Sequence, residues 1–271
     1  MNVMRLNVFF AVSLLAVTAL SMPWADVFRK SASNIGLVKE PVKGVVVEHH
    51  GCGCSKCGRE KETVVTNFVR FALEDGWVFI HPRTGSNWMN ESAAKLTDEL
   101  VDALIEHYKL PKDVPILSTG YSMGGMGTLV WPVFSKHQAN VRAIFANCPV
   151  TDLEEMHRYA SGTNAWATYI RTSIEKAYPR QDGRPYAEIL RSRSPISILD
   201  RLIDVPYYVN QGTADKAVVK EKHADVFVPA LKASGKNVTY FISEGLDHCG
   251  ISKDILPKWN AALRDLMEKL Q

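Results

Sequence analysis

From about Val38 onward the apolar residues follow two alternating rhythms. Short, nearly continuous runs rich in β-branched and aromatic residues lie at Gly44–Glu48, Trp77–His81, Pro115–Tyr121, Val141–Asn147, Val205–Asn210 and Val238–Ser243, and read as strands buried on both faces. Between them, helical spacing predicts helices over Lys61–Glu74, Glu91–Tyr108, Gly124–His137, Lys222–Ser234 and Ile255–Leu270. In the second of these, Ala94, Leu96, Leu100, Ala103, Leu104 and His107 share a face, and Asn90 is a candidate N-cap. Pro132 inside the third predicts a kink or an early end. Strand and helix in alternation specify an α/β fold: a mostly parallel sheet of about six or more strands with helices on both faces.

Two stretches break the rhythm. Residues 153–203 separate two strands by far more than a crossover needs and hold Tyr159, Trp166, Tyr169, Tyr178 and Tyr186, which predicts a cap insert; two ordinary packing helices with aromatic cores are the alternative. At the N-terminus a lone Arg5 precedes an apolar run from Leu6 to Leu20, then small residues, then a polar segment from Asp26. That order predicts a signal peptide over 1–25, cleaved after Ser21 or Ala25, since the run is shorter than the roughly 20 residues a membrane span needs. The expectation is one domain over 26–271, secreted or periplasmic, with no stable membrane insertion.

Charge and cysteine content narrow the partners. With 32 Lys+Arg against 29 Asp+Glu and a net charge of +3 spread along the chain, there is no field to attract nucleic acid, so a small molecule is the expected partner. The five cysteines are Cys52, Cys54, Cys57, Cys148 and Cys249. In an oxidising compartment they are expected to form disulfide bonds, and an odd number leaves one outside intramolecular bridges.

Gly120-Tyr121-Ser122-Met123-Gly124 spells GxSxG, with Gly125 following. A serine hydroxyl becomes a useful nucleophile when a sharp strand-to-helix turn exposes it beside a base, and here a strand leads in and a helix leads out. His248, in the loop after the strand Val238–Ser243, emerges at the same sheet edge and is the candidate general base; His81, His107, His137, His157 and His223 are less well placed. Asp215, reached from a strand through Gly212, is the candidate acid to orient it, with Asp152 as runner-up.

The order serine, acid, histidine on this elbow resembles the α/β-hydrolase superfamily, and within it the prolyl-oligopeptidase-like and dienelactone-hydrolase-like serine esterases and peptidases. The resemblance implies the α/β-hydrolase fold and a serine hydrolase that cleaves a carboxylic ester or related acyl bond through an acyl-enzyme, with no cofactor. Little room before Val38 for the first antiparallel strands of that fold implies a sheet reduced at its N-terminal edge, and with no large domain there either a small carboxylesterase is expected, acting on an ester or, alternatively, on short peptides. A non-catalytic or metal-binding protein on the same fold is the rival from another class. The resemblance also implies an oxyanion hole made by the backbone N–H of Met123 and one from the loop His49-His50-Gly51-Cys52-Gly53, with Cys52 the expected second donor. Cys52, Cys54 and Cys57 with His49 and His50 form an alternative zinc constellation. The preferred expectation is a disulfide from this loop to Cys249; local pairing of the three cysteines is the other.

Overall fold

The computed structural model describes residues 31–32, 38–53, 72 and 74–270. The expected signal peptide, Cys54, Cys57 and nearly all of the helix expected over Lys61–Glu74 lie outside the described residues. Among the described residues seven strands form one sheet: β1 (Ser31–Ala32), β2 (Gly44–His49), β3 (Trp77–Pro82), β4 (Ile116–Tyr121), β5 (Val141–Asn147), β6 (Tyr207–Gly212) and β7 (Val238–Ser243), in the order β1-β3-β2-β4-β5-β6-β7. β2 to β7 run parallel, and only the two-residue β1 pairs antiparallel, with β3. The expected six-stranded parallel sheet is therefore present, with a short antiparallel strand at its edge.

Parallel strands covered on both faces need apolar side chains in both directions, and every residue of β2 and β3 is buried. Alternation divides them: Val45 and Val47 join the larger core, while Val46 joins Trp77, Leu117, Phe145 and Trp259 on the other face. The helices that cover the sheet are α1 (Glu91–His107), α2 (Met123–Phe134), α3 (Leu153–Tyr159), α4 (Ala165–Ala177), α5 (Tyr186–Arg191), α6 (Ala224–Ala233) and α7 (Leu256–Lys269). No helix among the described residues is long and apolar enough to cross a membrane.

Where boundaries differ from the sequence reading, prolines and caps account for it. β6 begins at Tyr207 rather than Val205 because Pro206 has no N–H for the ladder, and its carbonyl accepts from Ile144 instead. α2 ends at Phe134, two residues beyond Pro132. The carbonyl that Pro132 cannot bond, Thr128 O, accepts from Ser118 Oγ at 3.3 Å, so the proline is absorbed without an orphaned acceptor. Asn90 caps α1 as expected, accepting from Ala93 N at 3.1 Å.

Residues 153–203 fold as α3, α4, α5 and two short 3-10 turns. They belong to the main core through Leu153, Met156, Ile170, Ile174 and Leu190, while Tyr178 is buried with its hydroxyl donating to Trp88 O at 2.6 Å. Tyr159, Trp166 and Tyr169 are exposed.

Candidate active site

All six parallel strands point their C-terminal ends to one edge of the sheet, and the residues singled out by sequence collect there. The elbow between β4 and α2 is tight enough that a Cβ on Gly124 would stand 1.9 Å from His49 O. Only glycine allows β2 and the start of α2 to approach that closely. Ser122, at the turn itself, takes φ 58°, a conformation uncommon for a residue with a side chain. It is held there by Ser122 N donating to Asn147 O at 3.0 Å and by Ser122 O accepting from Met126 N and Val150 N.

Ser122 Oγ lies 3.0 Å from His248 Nε2, and His248 Nδ1 lies 2.8 and 3.0 Å from the two oxygens of Asp215. The Asp215 side chain is fully buried while His248 is about one-third exposed, so a proton-carrying ring stands between solvent and a sheltered carboxylate. Asp215 Oδ1 also accepts from Ala217 N and Val218 N, each at 2.9 Å, and Oδ2 accepts from Gln211 Nε2 at 2.8 Å. Burial works to raise this carboxyl, but the His248 hydrogen bond and the Val218 and Ala217 N–H groups outweigh it and hold it below the usual carboxylate range. With the carboxylate charged, Nδ1 is the donor and Nε2 is left to accept from the serine.

Asp152, the runner-up, is committed elsewhere: it is the N-cap of α3, accepting from Glu154 N and Glu155 N at 2.9 and 3.1 Å. His223 is buried, and its Nδ1 accepts from Thr151 N at 3.2 Å. His81 pairs with Glu48 and His137 with Asp102.

The oxyanion-loop expectation places Gly51 and Cys52 beside the nucleophile, and a Cβ on Gly51 would lie 3.7 Å from Ser122 Cβ. Among the described residues neither the Cys52 N–H nor the Met123 N–H donates to a backbone carbonyl. The cysteine expectation needs correction. Cys249 is bonded to Cys148, across 101 residues, and not to the loop that carries Cys52; Cys52 is a free thiol, 3.7 Å from Ser173 Oγ. The reason is geometric: Cys148 follows β5 directly, two strands closer to β7 than β2 is, so its sulfur meets the His248 loop before any sulfur from β2 can. Cys148, His248 and Cys249 are the one set of potential metal ligands clustered among the described residues, and two of its three donor atoms are consumed by the disulfide.

Sequence reasoning missed the residues that hold the His248 loop. Asn147 Nδ2 donates to Cys249 O at 2.9 Å, and Asn210 Nδ2 to Gly250 O at 3.1 Å and to Asn147 Oδ1 at 2.8 Å. Ser243 Oγ donates to Asn210 Oδ1 at 2.8 Å. The available signal was a polar residue closing each of three apolar strands.

The family profile of the prolyl oligopeptidase family matches residues 87–270, from just before α1 to the end of α7. The chain belongs to the prolyl oligopeptidase family. It is a serine hydrolase, a peptidase or an esterase. This prolyl oligopeptidase family member matches no curated protein in sequence comparison. Solved structures share its α/β-hydrolase fold. A puromycin hydrolase superposes with a TM-score of 0.62 at 20% identity, over 85% of this chain and 34% of its own. An acylaminoacyl peptidase from Pyrococcus horikoshii gives 0.63 at 14% identity, over 86% and 38%. Esterase B from Lactobacillus rhamnosis gives 0.62 at 12% identity, over 86% and 78%. The chain thus spans little more than a third of the puromycin hydrolase and of the acylaminoacyl peptidase, and most of the esterase.

Proposed function

We propose that Ser122, His248 and Asp215 are the catalytic triad of an extracytoplasmic hydrolase that cleaves a carboxylic ester, or a related acyl bond, of a small substrate. The observation that carries this reading is the relay of hydrogen bonds from Ser122 Oγ through His248 to Asp215, at 3.0 and 2.8 Å. His248 Nε2 takes the serine proton as Oγ attacks the carbonyl carbon. The N–H groups of Met123 and Cys52 receive the oxyanion. The imidazolium, held by Asp215, returns its proton to the leaving group; water then enters, is deprotonated by the same nitrogen, and releases the acid. The exposed rings of Tyr159 and Tyr169 reach the loops beside the triad: Tyr159 Oη donates to Lys216 O, next to Asp215, at 2.8 Å, and the Tyr169 hydroxyl lies 2.7 Å from Ser86 Oγ, which accepts from Gly53 N, while Trp166 packs against Tyr159. They favour a substrate with an apolar group beside the scissile bond.

The superposition of esterase B over 86% of this chain favours the esterase reading. Hydrolysis of short peptides is the second reading, favoured by the family itself and by the acylaminoacyl peptidases among its structural neighbours. The Cys148–Cys249 disulfide and the apolar N-terminal run both support an oxidising, extracytoplasmic location. The test is intact-mass detection of a fluorophosphonate adduct on wild type and Ser122→Ala, with turnover of p-nitrophenyl esters set against aminoacyl p-nitroanilides. A labelled wild type, an unlabelled variant and preferential ester turnover are expected. Anilide turnover exceeding ester turnover establishes the peptidase reading, and an active Ser122→Ala removes the triad assignment.

A further inference from the structure

Two sulfurs stand against the imidazole of His248. One ligand atom from each of Cys148, Cys249 and His248 lies within 4.8 Å of the other two. The cysteines share a disulfide, but that bond is not what brings them together. Cys148 N, directly after β5, donates to Asn210 O at 2.8 Å, and Cys249 O accepts from Asn147 Nδ2 at 2.9 Å. The neighbouring Gly250 is held by Asn210 Nδ2 on its carbonyl at 3.1 Å and by its own N–H on Asp247 O at 3.0 Å. None of these bonds passes through a sulfur. With the Cα atoms 5.1 Å apart on backbones fixed in this way, opening the disulfide leaves the two side chains side by side and still beside His248.

Reduction changes what this group can hold. A dithiol gives two electrons and two protons, the Cys148–Cys249 bond breaks to two thiols, and the dithiol closes to its own cyclic disulfide. Thiolates and an imidazole are the donor set of zinc, bound at about 2.3 Å and about 2.0–2.1 Å, with the thiol protons passing to solvent as the bonds form. Soft sulfur selects zinc over calcium or magnesium. We propose that the reduced protein holds a zinc ion on Cys148 Sγ, Cys249 Sγ and a ring nitrogen of His248, a site that the disulfide closes and that, when filled, switches the hydrolase off. Whichever nitrogen takes the ion leaves the relay. Through Nε2 the ion displaces Ser122 Oγ, 3.0 Å away in the oxidised protein, and keeps Asp215 behind Nδ1–H as the outer carboxylate that orients a metal-bound histidine; through Nδ1 it displaces Asp215 itself. The ring is about one-third exposed, so water can complete the coordination. Exchange in the opposite sense, with a small-molecule disulfide as oxidant, re-forms the Cys148–Cys249 bond, yields two small-molecule thiolates and releases the ion. The switch rests on the reading of His248 as general base; the site does not.

The experiment uses the full-length chain carrying Cys52→Ser, Cys54→Ser and Cys57→Ser, which leaves Cys148 and Cys249 as its cysteines. Oxidised protein, and protein reduced with a dithiol and desalted without air, are titrated with Co2+ as a spectroscopic substitute for zinc. Thiolate-to-cobalt charge transfer is read in the near ultraviolet. The rate of fluorophosphonate labelling is read beside it, with Zn2+ and then with a chelator added. The reduced protein is expected to take up cobalt stoichiometrically and the oxidised protein none. Zinc should slow labelling of the reduced protein by about 10² or more relative to its metal-free form, the contribution of a general base, and the chelator should reverse this. His248→Ala in the same background should weaken cobalt binding at least about tenfold. Reduced protein without the charge-transfer band overturns the proposal, as does an equal cobalt affinity in His248→Ala. Should the reduced, metal-free chain not hold its fold, thermal melting replaces labelling: a rise with zinc that His248→Ala loses supports the site, and no rise overturns it. Stoichiometric, His248-dependent binding with labelling at the metal-free rate overturns the switch and the general-base reading together. Oxidised protein that is neither labelled nor active marks failure of the triad reading alone, and the cobalt titration then decides the site.

Discussion

Replacing Asp215 by asparagine keeps the shape of the side chain and turns one hydrogen-bond acceptor into a donor. The oxygen position facing Ala217 N and Val218 N, each at 2.9 Å, accepts two N–H groups and must remain an oxygen. The new NH2 then occupies the place of Oδ2, 2.8 Å from His248 Nδ1. At the nearer contact a nitrogen that met an acceptor now meets a donor, and the remaining oxygen, 3.0 Å from Nδ1, is already taken by the Ala217 and Val218 N–H groups, so the tautomer with Nδ1 accepting and the proton on Nε2 is favoured. There it faces Ser122 Oγ and can no longer take its proton. The loss is expected to be about 10⁴-fold in kcat, the size associated with the same tautomer error in a chymotrypsin-type triad, or about 5.5 kcal/mol of transition-state stabilisation. Gln211 adds to it, since its Nε2, 2.8 Å from Oδ2, meets the same NH2. The assay is kcat and the rate of fluorophosphonate labelling on p-nitrophenyl ester-active protein, with circular dichroism to confirm the fold. Asp152→Asn is the control, because asparagine caps α3 as well as aspartate does and activity should stay within about threefold. An Asp215→Asn enzyme within tenfold of wild type, or a larger loss in Asp152→Asn, refutes this reasoning.

Other perturbations reach the scaffold. Cys148→Ser with Cys249→Ser opens a link spanning 101 residues. Chain entropy alone sets that link at about 4.7 kcal/mol, so thermal melting should shift down by about 10 °C or more, with activity falling as well because Cys249 adjoins His248; an unchanged melting temperature counts against it. Gly124→Ala drives a Cβ to 1.9 Å from His49 O, a backbone atom that cannot swing aside, and should cost about 3 kcal/mol or more in urea unfolding, whereas a wild-type midpoint contradicts the close approach. Acid should destabilise the fold: burial lowers His49 to about 3, and His50 and His223 to about 4, from 6.5. Below pH 6.5 the unfolded chain takes up protons that the folded chain refuses. This stability is therefore complete above 6.5 and is lost toward pH 4, at up to about 1.4 kcal/mol per pH unit per histidine; Glu48, raised by burial, opposes it only in part. Urea midpoints that stay level between pH 7 and pH 5 would contradict this.

The positions of Ser122, Asp215 and His248 were legible because each lies directly after a strand, and a parallel sheet brings every strand end of that kind to one edge. The strands were legible because they are short, apolar and buried on both faces, and their ends were shifted only by local chemistry such as the missing N–H of Pro206. The partner of Cys249 was not legible: the order of strands in a sheet is a long-range property, and Cys148 is a neighbour only because β5 and β6 lie between β4 and β7. The pairing of Asn147 with Asn210, and the stack of His50 on His81, depend on register between strands far apart in sequence. Asp152 and Asp215 look alike as loop carboxylates. Only the three-dimensional placement shows that one caps a helix and the other meets a histidine.

The strand order also dictates when during synthesis this molecule acquires its chemistry. β4 and its serine occupy the middle of the sheet, while β7, whose loop brings His248, is an edge strand and the last to be made. A nascent chain stopped anywhere before residue 248 holds a turn with an exposed hydroxyl but no base beside it. On the triad proposed above, partial products that end before residue 248 are expected to lack hydrolytic activity, which arrives only with the β7 edge of the described sheet.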